Sequence, residues 1–125
     1  MANEIQASLS VRILNGAYSQ VISPQPASIA QTNVGAGGIP SQSIPTADTV
    51  IAGLTGLTAN GYAFLQNLDA THYILWGPDN GSGAIVVLGK LKPGEYAWVR
   101  IAPSVVLRAK ADTAACKLQV FVLED

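Results

Sequence analysis

Charged side chains are scarce in this sequence: seven Lys and Arg with eight Asp and Glu make up 12% of its 125 residues, where an ordinary globular domain carries about 25%. The formal net charge is −1 and the basic residues are not clustered, so neither a nucleic-acid partner nor an anionic membrane surface is expected. Cysteine is limited to Cys116, which excludes a disulfide within the chain and fits a reducing compartment. Histidine is limited to His72, which excludes a His-cluster metal site. No stretch approaches the roughly 18 apolar residues of a spanning helix. Met1-Ala2-Asn3-Glu4-Ile5 lacks the basic-then-apolar order of a secretory leader, so a soluble, unprocessed chain is expected. Helical periodicity is not sustained over ten residues anywhere.

Alternation with period two is present instead. Ala7 to Leu14 alternates apolar and polar side chains, placing Leu9, Val11 and Ile13 on one face. Asn15-Gly16 follows, a dipeptide suited to the positive φ angles of a hairpin turn, and Ala17 to Ile22 is expected to return as the second arm. Further strands are expected over Thr49–Leu54, Gly61–Leu68, His72–Trp76, Ala84–Leu91, Tyr96–Ile101, Val105–Ala111 and Lys117–Leu123. Turn residues separate them, among them Gly77-Pro78-Asp79-Asn80-Gly81 and Lys92-Pro93-Gly94-Glu95. Short strands at such spacing predict one all-β domain over residues 1–125, an antiparallel β-sandwich or barrel of about eight strands, with a jelly roll the preferred arrangement.

Residues 23–47 differ in composition. Four prolines (Pro24, Pro26, Pro40, Pro45), three glycines (Gly35, Gly37, Gly38) and many Ser, Gln, Thr and Asn residues predict a long polar loop, since such a stretch has few apolar neighbours to fold onto. It reads either as a surface loop or as an arm ordered against a neighbouring subunit, with residues 1–8 as a second reaching element. A mean hydropathy of +0.31 with so few charges points the same way, to a surface partly covered by other chains.

The search for catalytic chemistry finds nothing that converges. His72 sits at a strand start beside Tyr73 and reads as structural. Cys116 enters the last strand and reads as a small buried filler, despite Lys117 beside it. The carboxylates Glu4, Asp48, Asp69, Asp79, Glu95, Asp112, Glu124 and Asp125 fall mostly in turns or at chain ends. Gly35-Ala36-Gly37-Gly38 lacks the Lys-Ser/Thr of a phosphate loop. Asp79-Asn80-Gly81-Ser82-Gly83 lacks the spaced acids and closing Glu of a calcium loop. No catalytic, cofactor-binding or metal-binding residue is assigned, no cofactor is expected, and the chain is not expected to be an enzyme. The aromatic residues Trp76, Trp98, Tyr62, Tyr73 and Tyr96 would suit either core packing or a sugar-stacking face.

The C-terminal two thirds, about residues 48–125, carries three longer signatures. They are Leu65-Gln66-Asn67-Leu68-Asp69-Ala70-Thr71-His72-Tyr73-Ile74, then Leu91-Lys92-Pro93-Gly94-Glu95-Tyr96-Ala97-Trp98-Val99-Arg100-Ile101-Ala102-Pro103, and Lys110 through Val120 with its closing Ala115-Cys116-Lys117-Leu118-Gln119-Val120. In these the chain resembles small structural proteins of tailed-bacteriophage virions, with His72 where the first motif usually has Asn. The first 47 residues do not share the resemblance. It implies a capsid- or tail-associated β-sandwich: a decoration (cement) protein contacting the major capsid protein or other virion proteins, forming a homo-oligomer with a trimer favoured, and assembled in the host cytoplasm. The alternative is a head-fibre, tail or receptor module that binds carbohydrate through exposed Tyr and Trp.

Overall fold

The computed structural model describes residues 5–33, 35–52, 57 and 59–124. The fold is all-β and its paired strands are antiparallel. The chain divides into two compact units, residues 1–32 and 33–125, where the sequence leads one to expect a single domain.

The first unit is a nested hairpin. Outer strands β1 (Ile5–Ala7) and β4 (Ala27–Ile29) pair with each other, as do inner strands β2 (Val11–Asn15) and β3 (Tyr18–Ile22). The expected Asn-Gly turn is present: Gly16 takes φ +57° between the two inner strands, a conformation that costs glycine little. Pro24 and Pro26 fall between β3 and β4, where proline's missing N–H removes a ladder donor and interrupts the ribbon.

The second unit is a β-sandwich of two four-stranded sheets. One has the order β10 (Tyr96–Arg100), β7 (Asn60–Asn67), β12 (Cys116–Glu124), β5 (Ala36–Ile44). The other has the order β6 (Thr49–Val50), β11 (Leu107–Ala111), β8 (Ile74–Pro78), β9 (Gly89–Leu91). The pairs β5·β12, β6·β11, β7·β10 and β8·β9 are all bonded neighbours, so the eight strands form one long nested hairpin folded across two layers. Period-two alternation drives the layers together: Cys116, Leu118, Val120 and Val122 turn inward from β12 while Lys117 and Phe121 stay exposed. They join Ile44, Leu65, Ile74, Trp76, Leu107 and others in one core.

The polar loop expected over residues 23–47 is not a loop throughout. Residues 27–29 form β4, and Ala36–Ile44 is a nine-residue strand at the edge of the first sheet. Its composition fits the position. A Cβ at Gly38 would lie 2.4 Å from the Val120 carbonyl oxygen, so glycine permits the close pairing with β12. Pro40 and Ser41 occupy the register shift opposite Gln119, a bulge on an edge strand where proline's missing N–H does no harm. Gln42 bonds to the Val50 carbonyl and the Ala52 amide, both at 3.0 Å, and so holds the crossing from one sheet to the other. The expected strand Thr49–Leu54 is present at Thr49–Val50; residues 53–54 lie outside the described residues, as do Met1–Glu4 and Asp125. The expected strand Ala84–Leu91 is regular only from Gly89, although Val86 and Leu88 still donate to the Pro78 and Trp76 carbonyls.

Candidate functional surface

The first two signatures meet at a single corner of the sandwich, and Asn67 is its hub. Asn67 is fully buried; its Nδ2 donates to the carbonyls of His72 and Leu91, both at 2.9 Å, and its Oδ1 accepts from the Asp69 amide. Its backbone pairs with Glu95 and Gly94 across the turn that follows β9. Asp69 Oδ1 then accepts the amides of Thr71 and His72 at 2.7 and 2.6 Å. These backbone bonds, the His72 amide first, hold the Asp69 carboxyl below the usual carboxylate range. Glu95 accepts the Lys92 amide, and Gly94 takes φ +79°. Asn67, Asp69, Thr71, Gly94 and Glu95 of these signatures therefore knit a corner rather than line a site.

His72, Thr71 and Asp69 superficially suggest a relay. Thr71 Oγ1 and Asp69 Oδ1 both approach the same ring nitrogen, Nδ1, at 2.9 and 3.3 Å. A nucleophile–base–acid triad needs its partners on opposite nitrogens, so this cluster is a turn. Cys116 is buried beside the Tyr73 carbonyl; burial, then Asp69 and Asp112, pushes its thiol up and keeps it protonated. Asp48 and Asp79 flank Arg108 at 2.7 and 3.1 Å, and Asp48 also accepts the Ile85 amide. Burial opposes ionisation of Asp48, but the Arg108 bond and the Ile85 amide outweigh it and the carboxyl is held low. Asp79 and Asn80 accept the amides of residues 81–84, so the Asp79–Gly83 loop is clamped by its own side chains. Among the described residues no group of three His, Cys, Asp or Glu is placed to hold a metal ion.

What remains is the outer face of the β10-β7-β12-β5 sheet. Alternation along β7 and β10 turns Tyr62, Phe64, Gln66, Tyr96, Trp98 and Arg100 outward, and the register sets Trp98 opposite Phe64, Arg100 opposite Tyr62 and Phe121 opposite Phe64. Five of the chain's eight aromatic residues thus share one sheet face. Trp98 is 41% exposed, whereas Trp76 is 8% exposed, with its ring where a Cβ on Gly89 would go; the two tryptophans have different roles. Phe64 and Phe121 complete the face and were not among the aromatic residues singled out from the sequence. The signal for them is an aromatic at outward positions of two strands whose other face is apolar, legible only once the pairing is known.

The rings stack in pairs across the β7–β10 strands. Tyr62 and Trp98 have centroids 4.8 Å apart and planes within 8°; parallel rings this close cannot lie side by side and must overlap. Phe64 and Tyr96 repeat the arrangement at 6.0 Å, and the Arg100 guanidinium lies 5.0 Å from the Tyr62 centroid. The surface is accordingly a set of apolar ribs with Gln66 and Gln119 in the same cross-strand row as Tyr96 and Lys117 on the same face of β12. A face of this kind suits packing against protein, whose side chains fit between ribs. No family model, curated protein or solved structure matches the chain.

Proposed function

We propose that this protein is a structural component of a tailed-bacteriophage virion, a capsid decoration (cement) protein that docks on the major capsid protein or a neighbouring virion protein. The observation that carries the reading is the ribbed aromatic outer face of the β10-β7-β12-β5 sheet, left exposed on a sandwich with few charges. A cluster of exposed aromatic side chains on one sheet face of a small domain suits an interaction surface, and exposed Trp and Tyr are among the side chains that contribute most per residue at protein interfaces. The phage-like signatures over residues 65–120 and the nested connectivity, which supports reading the sandwich as a jelly roll, favour a virion as the setting.

The test is to follow the protein through purification of phage particles, as wild type and as Trp98→Ser/Phe121→Ser. Both side chains are exposed, so the double variant should keep its circular dichroism and melting temperature while its particle-bound fraction falls at least tenfold. Equal occupancy by both forms would defeat the proposal. A second reading, carbohydrate binding, is favoured by exposed Trp98 with Gln66 and Gln119 close to the rings. It is weakened by the stacking, which turns one face of the Trp98 ring toward Tyr62 instead of toward a sugar. Binding on a glycan array that disappears with Trp98→Ala would establish it.

A further inference from the structure

Three of the chain's six asparagines precede glycine: Asn15-Gly16, Asn60-Gly61 and Asn80-Gly81. Glycine has no side chain to obstruct attack of its backbone nitrogen on the preceding asparagine's amide, so the three dipeptides share one latent reaction. Asn3, Asn33 and Asn67 precede Glu, Val and Leu, which hinder it. The structure gives the three dipeptides different surroundings. Asn60 is buried and Gly61 lies beside it in β7, an inner strand of its sheet; the Gly61 carbonyl accepts the Ile101 amide at 2.8 Å. Neither water nor a base reaches that pair until the sheet opens. At Asn80-Gly81 both reacting groups are engaged. The Gly81 amide donates to Asp79 Oδ1 at 2.6 Å, and a neighbouring carboxylate disfavours loss of that proton. Asn80 Oδ1 accepts the Ser82 and Ala84 amides at 2.8 and 3.2 Å, which fixes its side chain.

Asn15-Gly16 has neither protection. Both residues are exposed, and a Cβ on Gly16 would meet nothing within 4 Å. Asn15 pairs with Tyr18 at the end of the β2–β3 ladder, so Gly16 stands outside it in the turn. A two-stranded ribbon is marginal in water and its ends open at little cost, which lets Asn15 reach the reactive conformation. We propose that Asn15 is a self-modification site, converted by water to aspartate and isoaspartate in the folded protein while Asn60 and Asn80 are protected. The Gly16 nitrogen gives its proton to solvent base and bonds to Asn15 Cγ. The Cγ–Nδ2 bond breaks, Nδ2 leaves as ammonia, and a five-membered succinimide remains. Water then adds to either ring carbonyl. Opening at Cγ leaves aspartate; opening at the backbone carbonyl leaves isoaspartate, whose main chain runs through Cβ. One water is consumed, one ammonia is released and no electrons are exchanged. The product places a carboxylate in a unit where Arg12 is the sole charge among residues 5–32. Isoaspartate also lengthens the main chain beside a two-residue turn, against the register of Asn15 with Tyr18.

The full-length protein is incubated in mildly alkaline buffer, native and in urea, then digested and read by mass spectrometry. In the native sample the Asn15 peptide should gain about one dalton, split into two chromatographic isomers, and convert about tenfold or more ahead of the Asn60 and Asn80 peptides. In urea the three rates should converge. Asn15→Gln, a change at an exposed position, should hold its intact mass in native buffer while wild type gains one dalton. Native conversion of Asn60 or Asn80 as fast as Asn15 would overturn the proposal. So would an Asn15 peptide that stays unchanged in native buffer while converting in urea, or an equal mass gain by Asn15→Gln and wild type.

Discussion

Asn67 has no solvent exposure, yet all of its side-chain atoms have partners and both of its backbone groups bond across a turn. Replacing it with leucine would leave the His72 and Leu91 carbonyls and the Asp69 amide without partners in a closed corner. At about 1–3 kcal/mol for each orphaned buried group, partly relieved by water, Asn67→Leu is expected to lower stability by about 3 kcal/mol in urea unfolding. A change below 1 kcal/mol would mean the corner relaxes freely. Asp48 and Asp69 act through pH. Their folded values lie below those of the unfolded chain, so the native state binds fewer protons. The stability they contribute is complete above the ordinary carboxylate value of about 3.9 and is lost as pH falls through the lowered folded values. Melting temperature should therefore drop on acidification below about pH 4, and Asp48→Asn should flatten part of that drop; superimposable acid limbs would contradict the assignment. Cys116 should resist alkylation at neutral pH in the native protein and react fully only on unfolding, read by mass spectrometry.

Strands differ in how far the sequence discloses them. β7, β10 and β12 announce themselves by period-two alternation next to turn residues such as Asn60-Gly61, Pro93-Gly94 and Asp112-Thr113, and the Gly16 turn by its Asn-Gly pair. β5 does not, because Gly37, Gly38 and Pro40 read as breakers until β12 is known to lie beside them with a bulge opposite Pro40. The aromatic face was half legible for the same reason: alternation says that Tyr62 and Trp98 share a side of their own strands, but their stacking depends on a pairing between residues far apart in sequence. The strand reading of β5 has its own consequence. A methyl at position 38 would meet the Val120 carbonyl oxygen at 2.4 Å, so β5 must move away from β12. Gly38→Ala should cost about 2 kcal/mol and strip hydrogen-exchange protection from residues 36–39 and their partners on β12, leaving β8 and β11 protected. Uniform loss, or none, would place the edge strand elsewhere.

As a whole, the molecule concentrates its buried apolar residues in residues 33–125 and leaves apolar side chains exposed on the sheet face, on the hairpin and along residues 86–88. So few charges on such surfaces are costly for a chain alone in water and unremarkable for one covered by neighbours. Residues 33–125 alone are expected to fold with two-state melting close to that of the full chain, since among the described residues Ile5 is the only buried hydrophobic outside them. The most direct measurement is the particle-bound fraction of wild type against Trp98→Ser/Phe121→Ser in purified phage preparations. Wild type in stoichiometric amounts on particles, with the variant folded but left in the supernatant, is the result that the docking role of the aromatic face requires. Wild type absent from particles, or variant and wild type bound alike, would contradict it.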